Sequence, residues 1–157
     1  MKISVAAGWV ETPLKQFVDD ARVEIAVLLH ATGQVLGQYG FARSIDVMTA
    51  CALASAIHAS SSELGRQLEG RPFSALHYTG RDRQIFLGAI PSQGNALLLL
   101  AVFDRESSLG LVQLFLEEFK ARVAASAPGT VTGQPPAIAE DFERELNRNL
   151  AQLFGRA

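Results

Sequence analysis

Three histidines, one cysteine and three adjacent pairs of carboxylates are where a search for chemistry in this chain begins. A metal centre needs several imidazole, thiolate or carboxylate ligands brought together at regular spacings. His30, His58 and His77 have no cysteine or carboxylate at such a spacing, so they read as structural or surface histidines. A nucleophilic cysteine needs a nearby base or cation to stabilise its thiolate. Cys51 lies among Thr49, Ala50, Ala52 and Leu53 and reads as a small core or interface thiol. Asp19/Asp20, Glu117/Glu118 and Glu140/Asp141 would do acid–base work only if their surroundings pushed the paired pKa values apart. All three pairs fit solvated helix faces. Neither G-x-x-x-x-G-K-[ST], G-x-G-x-x-G opening a helix, nor G-x-S-x-G is present. The expectation is a protein with no catalytic residues, cofactor or metal of its own.

The 157 residues are 48% hydrophobic and 19% charged, with a formal net charge of −2. That balance suits an ordinary globular domain and gives no footprint for nucleic acid. A lone cysteine cannot form an internal disulfide, and MKISVAAGWVE lacks the pattern of a secretory leader. No apolar run approaches the roughly 20 residues of a membrane span. A cytoplasmic location is expected.

The segment that must position everything else is Leu97–Phe103, LLLLAVF, an apolar run closed by the polar knot Asp104–Ser108. Its length and composition predict a strand buried on both faces at the centre of a sheet. Gly110, just beyond, is expected to let the next helix pack closely on it.

Residues 1–11 read as a short strand or a loose arm. Thr12-Pro13 reads as an N-cap and first helical position, with Leu14, Phe17, Val18 and Ala21 at helical spacing. Val23–His30 and Gln34–Gly40 flank Ala31-Thr32-Gly33 as a hairpin. Ser44, with Asp46 in the first turn, opens a long helix from about Ile45 to Leu68, which Gly70-Arg71-Pro72 ends. Phe73–Thr79, Arg83–Ile90 and Ala96–Phe103 form a meander, and a helix follows over Ser108–Ala124, partly covered by the first.

The order predicts an α+β domain of profilin-like kind over residues 1–124: one five-stranded antiparallel sheet with helices on both faces. Residues 125–136, ASAPGTVTGQPP, read as a linker, and 137–157 as a C-terminal amphipathic helix.

Two features exceed the needs of a core. On the middle helix, Leu53, Ile57, Leu64 and Leu68 form the expected core stripe. The other side carries Ala52, Ser55, Ala56, Ala59, Ser62 and Arg66, small and nearly uncharged where a solvated face carries Lys, Glu and Gln. It is either a docking face for a helix or partner, or a face buried within the fold. The second feature is the tail, whose stripe includes Phe142, Leu146, Leu150, Leu153 and Phe154. So short a helix is marginal alone, and packs on its parent domain, on a twin or in a partner's groove.

Phe103–Leu114, FDRESSLGLVQL, joins a buried strand to an amphipathic helix in a way that resembles the roadblock (dynein light-chain) superfamily, its bacterial MglB-type branch most of all. Thr32–Leu36 and the hairpin from Arg71 to Ile90 match more weakly. The first turn departs from the pattern, with His30-Ala31-Thr32-Gly33 where the family often has Asp-x-x-Gly.

The resemblance implies the roadblock fold and a homodimer joined through a sheet edge and the middle helices. It implies a Ras-like small GTPase of the MglA type as partner, activated by remodelling rather than by a donated catalytic residue. By the same resemblance Ala52, Ser55, Ala56, Ala59, Ser62 and Arg66 form the platform, and Phe142–Phe154 supply a further contact. The alternatives are a roadblock scaffold or exchange regulator that binds without accelerating hydrolysis, and a ligand-sensing domain, which needs a cavity with a few polar groups.

Overall fold

The computed structural model describes residues 4–5, 8–92, 96–126 and 148. The elements, in order, are β1 (Ser4–Val5), α1 (Glu11–Ala21), β2 (Ile25–His30), β3 (Val35–Gly40), α2 (Val47–Glu69), β4 (Ala75–Thr79), β5 (Gln84–Ile90), β6 (Leu97–Phe103) and α3 (Leu109–Ser126). All strand pairs are antiparallel, in the order β1-β3-β2-β6-β5-β4. The five expected strands are present, and Ser4–Val5 adds a two-residue pairing at the β3 edge.

β6 lies between β2 and β5 with every residue buried. Because side chains alternate along a strand, Leu97, Leu99, Ala101 and Phe103 face one helical layer and Leu98, Leu100 and Val102 the other. The first layer is α1 and α3, locked by an edge-to-face contact between Phe17 and Phe119 with ring centroids 5.7 Å apart. Val10 and Leu14 press so closely on β3 that a Cβ at Gly37 would stand 3.0 Å from Val10 Cγ1. Among the described residues, helix α2 alone covers the opposite face.

Four local expectations need correction. A 3₁₀ turn at Gly8–Val10 feeds directly into α1, so Thr12 is already inside the helix; the capping position falls on Val10, which makes no side-chain cap. At α2 the cap is Asp46, not Ser44, which instead takes a left-handed conformation with φ 60°. Gly110 is exposed, and a Cβ there would meet only Ser108 Oγ at 3.8 Å. Its role is therefore not close packing on β6. Ala125 and Ser126, placed in the linker by composition, are the last residues of α3. The remainder of that linker lies outside the described residues, as do Phe142, Leu146, Leu150, Leu153 and Phe154.

Candidate protein-docking site

Helix α2 owes its start to Asp46, whose carboxylate accepts from the Thr49 hydroxyl at 2.8 Å and the Thr49 amide at 3.2 Å. Those bonds, the hydroxyl first, hold the Asp46 carboxyl below its ordinary range. The helix ends where Gly70 adopts φ 78° and returns its amide to the Arg66 carbonyl at 3.0 Å. Left-handed geometry of this kind is what glycine supplies at a helix C-terminus.

The face α2 turns inward is not the leucine stripe. Its buried residues are Cys51, Ala54, Ser62 and Gly65, spaced as one helical line with half-buried His58 between them. Leu53, Leu64 and Leu68 are 59%, 53% and 68% exposed, and Ile57 is half-buried. The reason is steric. The sheet surface beneath carries the large side chains of Val27, Leu29, Leu87, Leu98 and Leu100, and at Cys51 and Ala54 small residues let the helix backbone approach it. At the far end the fit is tighter: a Cβ on Gly65 would lie 2.5 Å from the Phe73 nitrogen and 2.7 Å from the Arg71 carbonyl oxygen. The small-residue line is visible in the sequence, but hydrophobicity counting outweighs it.

The six small or polar residues singled out on this helix therefore separate. Ala52, Ala56, Ala59 and Arg66 reach solvent, whereas Ser55 is half-buried and Ser62 is buried. Ser55 donates to the Ala31 carbonyl, and Ser62 Oγ lies 3.5 Å from His58 Nε2. Met48, 76% exposed, continues the line of Ala52, Ala59 and Arg66 toward the helix start. Arg66 pairs with Glu63 at 3.4 Å, an exposed contact of the kind that contributes little.

The β2–β3 turn packs beside this line. A Cβ on Gly33 would contact Ala52 Cα and Ser55 Cβ, each at 3.7 Å. Inside the turn, His30 Nδ1 accepts from the Thr32 amide at 3.3 Å and lies 3.1 Å from its hydroxyl oxygen. This is the kind of bond an aspartate makes at the start of an Asx-turn.

The reactive groups are placed for structure. Burial pushes the Cys51 thiol up to about 11, which keeps it protonated. His58 is held below its ordinary value by burial and then by Arg66. His77 Nε2 lies 2.7 Å from Gln84 Oε1, with the ring stacked on Phe103. Among the described residues no three His, Cys, Asp or Glu side chains converge as metal ligands, and no helix is long and apolar enough to cross a membrane.

The fold is similar to that of several solved structures. Myxococcus xanthus MglB is 20% identical, with a TM-score of 0.67 over 74% of this chain and 92% of its own. The gliding protein MglB of Thermus thermophilus is 21% identical, with a TM-score of 0.67 over 78% and 94%. A Roadblock/LC7 domain from Streptomyces avermitilis is 19% identical, with a TM-score of 0.61 over 73% and 93%. This is a roadblock fold. No protein-family model and no curated protein sequence matches the chain.

In this roadblock sheet β4 pairs, among the described residues, only with β5 and forms the free edge, with Tyr78 55% exposed. The leucine flank of α2 lies on that side, where Leu53 and Ile57 line a hollow with Ile85 and Leu87. On the other side Ala52 lies against the β2–β3 turn. One helix thus shows two chemically distinct borders.

Proposed function

We propose that the chain regulates a Ras-like small GTPase of the MglA type, accelerating GTP hydrolysis without supplying catalytic residues. The observation that carries this reading is the exposed, almost uncharged strip of Ala52, Ala56 and Ala59, which has the β2–β3 turn against it at Ala52, in a fold similar to MglB. Small side chains let a partner's backbone or switch segment approach closely, and a strip with no competing charge has little to desolvate. In the same reading a second copy joins at the free β4 edge and covers Leu64 and Leu68. An unpaired edge beside exposed leucines is what self-association removes.

The test is single-turnover GTP hydrolysis by an MglA-type GTPase with and without this protein. Acceleration is expected, together with loss of binding in Ala56→Arg and Ala59→Arg while both variants keep the wild-type Tm. Binding without acceleration would replace the activator with a scaffold or exchange regulator. Unchanged binding in both variants would move the docking surface elsewhere. Separately, Leu64→Asp with Leu68→Asp is expected to shift sedimentation toward the monomer.

A further inference from the structure

One cross-strand row of the sheet changes character at β3. Beneath α2 it runs through Leu87, Leu100 and Val27, each opposite the next and each buried. One strand further out, the residue opposite Val27 is Gln38, which is half-buried. Directly opposed residues share a face of the sheet, so this amide stands on the α2 side, about 4.8 Å beyond β2. No side-chain hydrogen bond among the described residues uses it. Val35, half-buried opposite Leu29, continues this ledge of β3 toward the β2–β3 turn.

The wall beside the ledge is the alanine border of α2. Contact between Ala52 and Gly33 of the turn sets that border toward β3. One helical turn before Ala52 stands Met48, the most exposed of the large hydrophobic residues described. Alanine methyl groups offer little area, and interface energy concentrates in a few large anchors. Methionine is enriched at interface cores and flexible enough to fit an irregular pocket. A primary amide has two donor hydrogens and an acceptor oxygen, so Gln38 can meet both the N–H and the C=O of a main chain. The leucine flank given to a second copy lies on the opposite border of α2, toward β4 and β5, so self-association leaves this ledge open.

We infer that the docked GTPase lays an extended main-chain segment along this ledge, bonded by Gln38 and anchored by an apolar pocket around Met48. The inference rests on the reading of the alanine strip as the GTPase's docking face. It adds the two residues that select the partner. A GTPase with proline at the bonded position, or with a charge opposite Met48, is refused.

The test is calorimetric titration of an MglA-type GTPase into the whole protein. Gln38→Ala and Met48→Ala should each weaken binding about tenfold, or 1.4 kcal/mol, at unchanged Tm. Met48→Leu and Leu114→Ala, the latter an exposed apolar change on α3, should bind as wild type does. The Gln38 side-chain ¹⁵NH₂ resonances, assigned by their loss in Gln38→Glu, should shift in the complex. Gln38→Glu should also weaken binding, and covers the case in which Gln38→Ala disturbs the strand. Wild-type affinity in Gln38→Ala, Gln38→Glu and Met48→Ala, with binding lost in Ala56→Arg, would overturn this inference and leave the docking face standing. Absence of binding by the unaltered protein would overturn both. A change in sedimentation of Met48→Ala at unchanged GTPase affinity would overturn the inference by giving the ledge to a second copy.

Discussion

Ser55 donates its hydroxyl hydrogen to the carbonyl oxygen of Ala31, 24 residues earlier, and so ties the middle of α2 to the β2–β3 turn. Gly33 packs on the same stretch of helix, which makes turn and helix one surface. Ser55→Ala is expected to destabilise the protein by about 1 kcal/mol, the net value of an ordinary hydrogen bond. Hydrogen exchange should speed up around Ala31–Gly33 before it does elsewhere. An unchanged exchange rate there would show that packing alone holds the turn.

His30 gives a sharper comparison. Its Nδ1 is an acceptor for the Thr32 amide, which an aspartate carboxylate also provides. His30→Asp should leave Tm near wild type, whereas His30→Ala should lower stability by about 1 kcal/mol in a urea titration. Equal losses in the two variants would mean that the ring's packing, not its nitrogen, matters.

Gly65 is a steric requirement. A methyl group there collides with the backbone of Arg71 and Phe73, which cannot rotate aside as a side chain could. Gly65→Ala ordinarily gains helix propensity, yet here it should lose about 1–3 kcal/mol as an overpacked site. Chemical denaturation with an unchanged m-value checks it.

The pH dependence has two acid steps of known sign. His58 resists protonation in the fold relative to its ordinary 6.5. As pH falls from 6.5 through the lowered folded value, the unfolded chain takes up a proton before the folded one does, so stability declines across that window. His58→Gln should remove this step from a plot of Tm against pH. Asp46 has a folded value below 3.8, so its contribution is complete above 3.8 and is lost as pH falls through the lowered value. Asp46→Asn, which still caps, should reduce that second step while leaving the helix in place.

The sheet is legible in the sequence because its signals are strong. LLLLAVF admits little but a doubly buried strand, and Ala31-Thr32-Gly33 admits little but a turn. The helix faces are harder. Leu53, Leu64 and Leu68 look like a core stripe when hydrophobicity is counted residue by residue. What decides the matter is the volume left above the sheet, a long-range quantity set by Val27, Leu87 and Leu100. Ser62 is misplaced for the same reason, since serine at a buried helix position carries no sequence mark. Ala52, Ala56 and Ala59 are recognisable as small residues on one side, but only the phase of the helix separates them from Ser55 and Ser62.

Helix α2 is packed on its sheet through Cys51 and Ala54 with half-buried Val47, Ala50 and Ile57, whereas α1 and α3 are held by Phe17, Leu14, Phe119 and Val112. The two faces therefore differ in how hard they are to peel. Partial opening should release α2 while the other layer stays closed, giving the molecule a hinged cover rather than a uniform shell. A partner seated on that cover would do more than occupy it. By binding only the closed form it would slow amide exchange along α2 far more than along α1 or α3, so the helix would register capture as a change in its own lifetime.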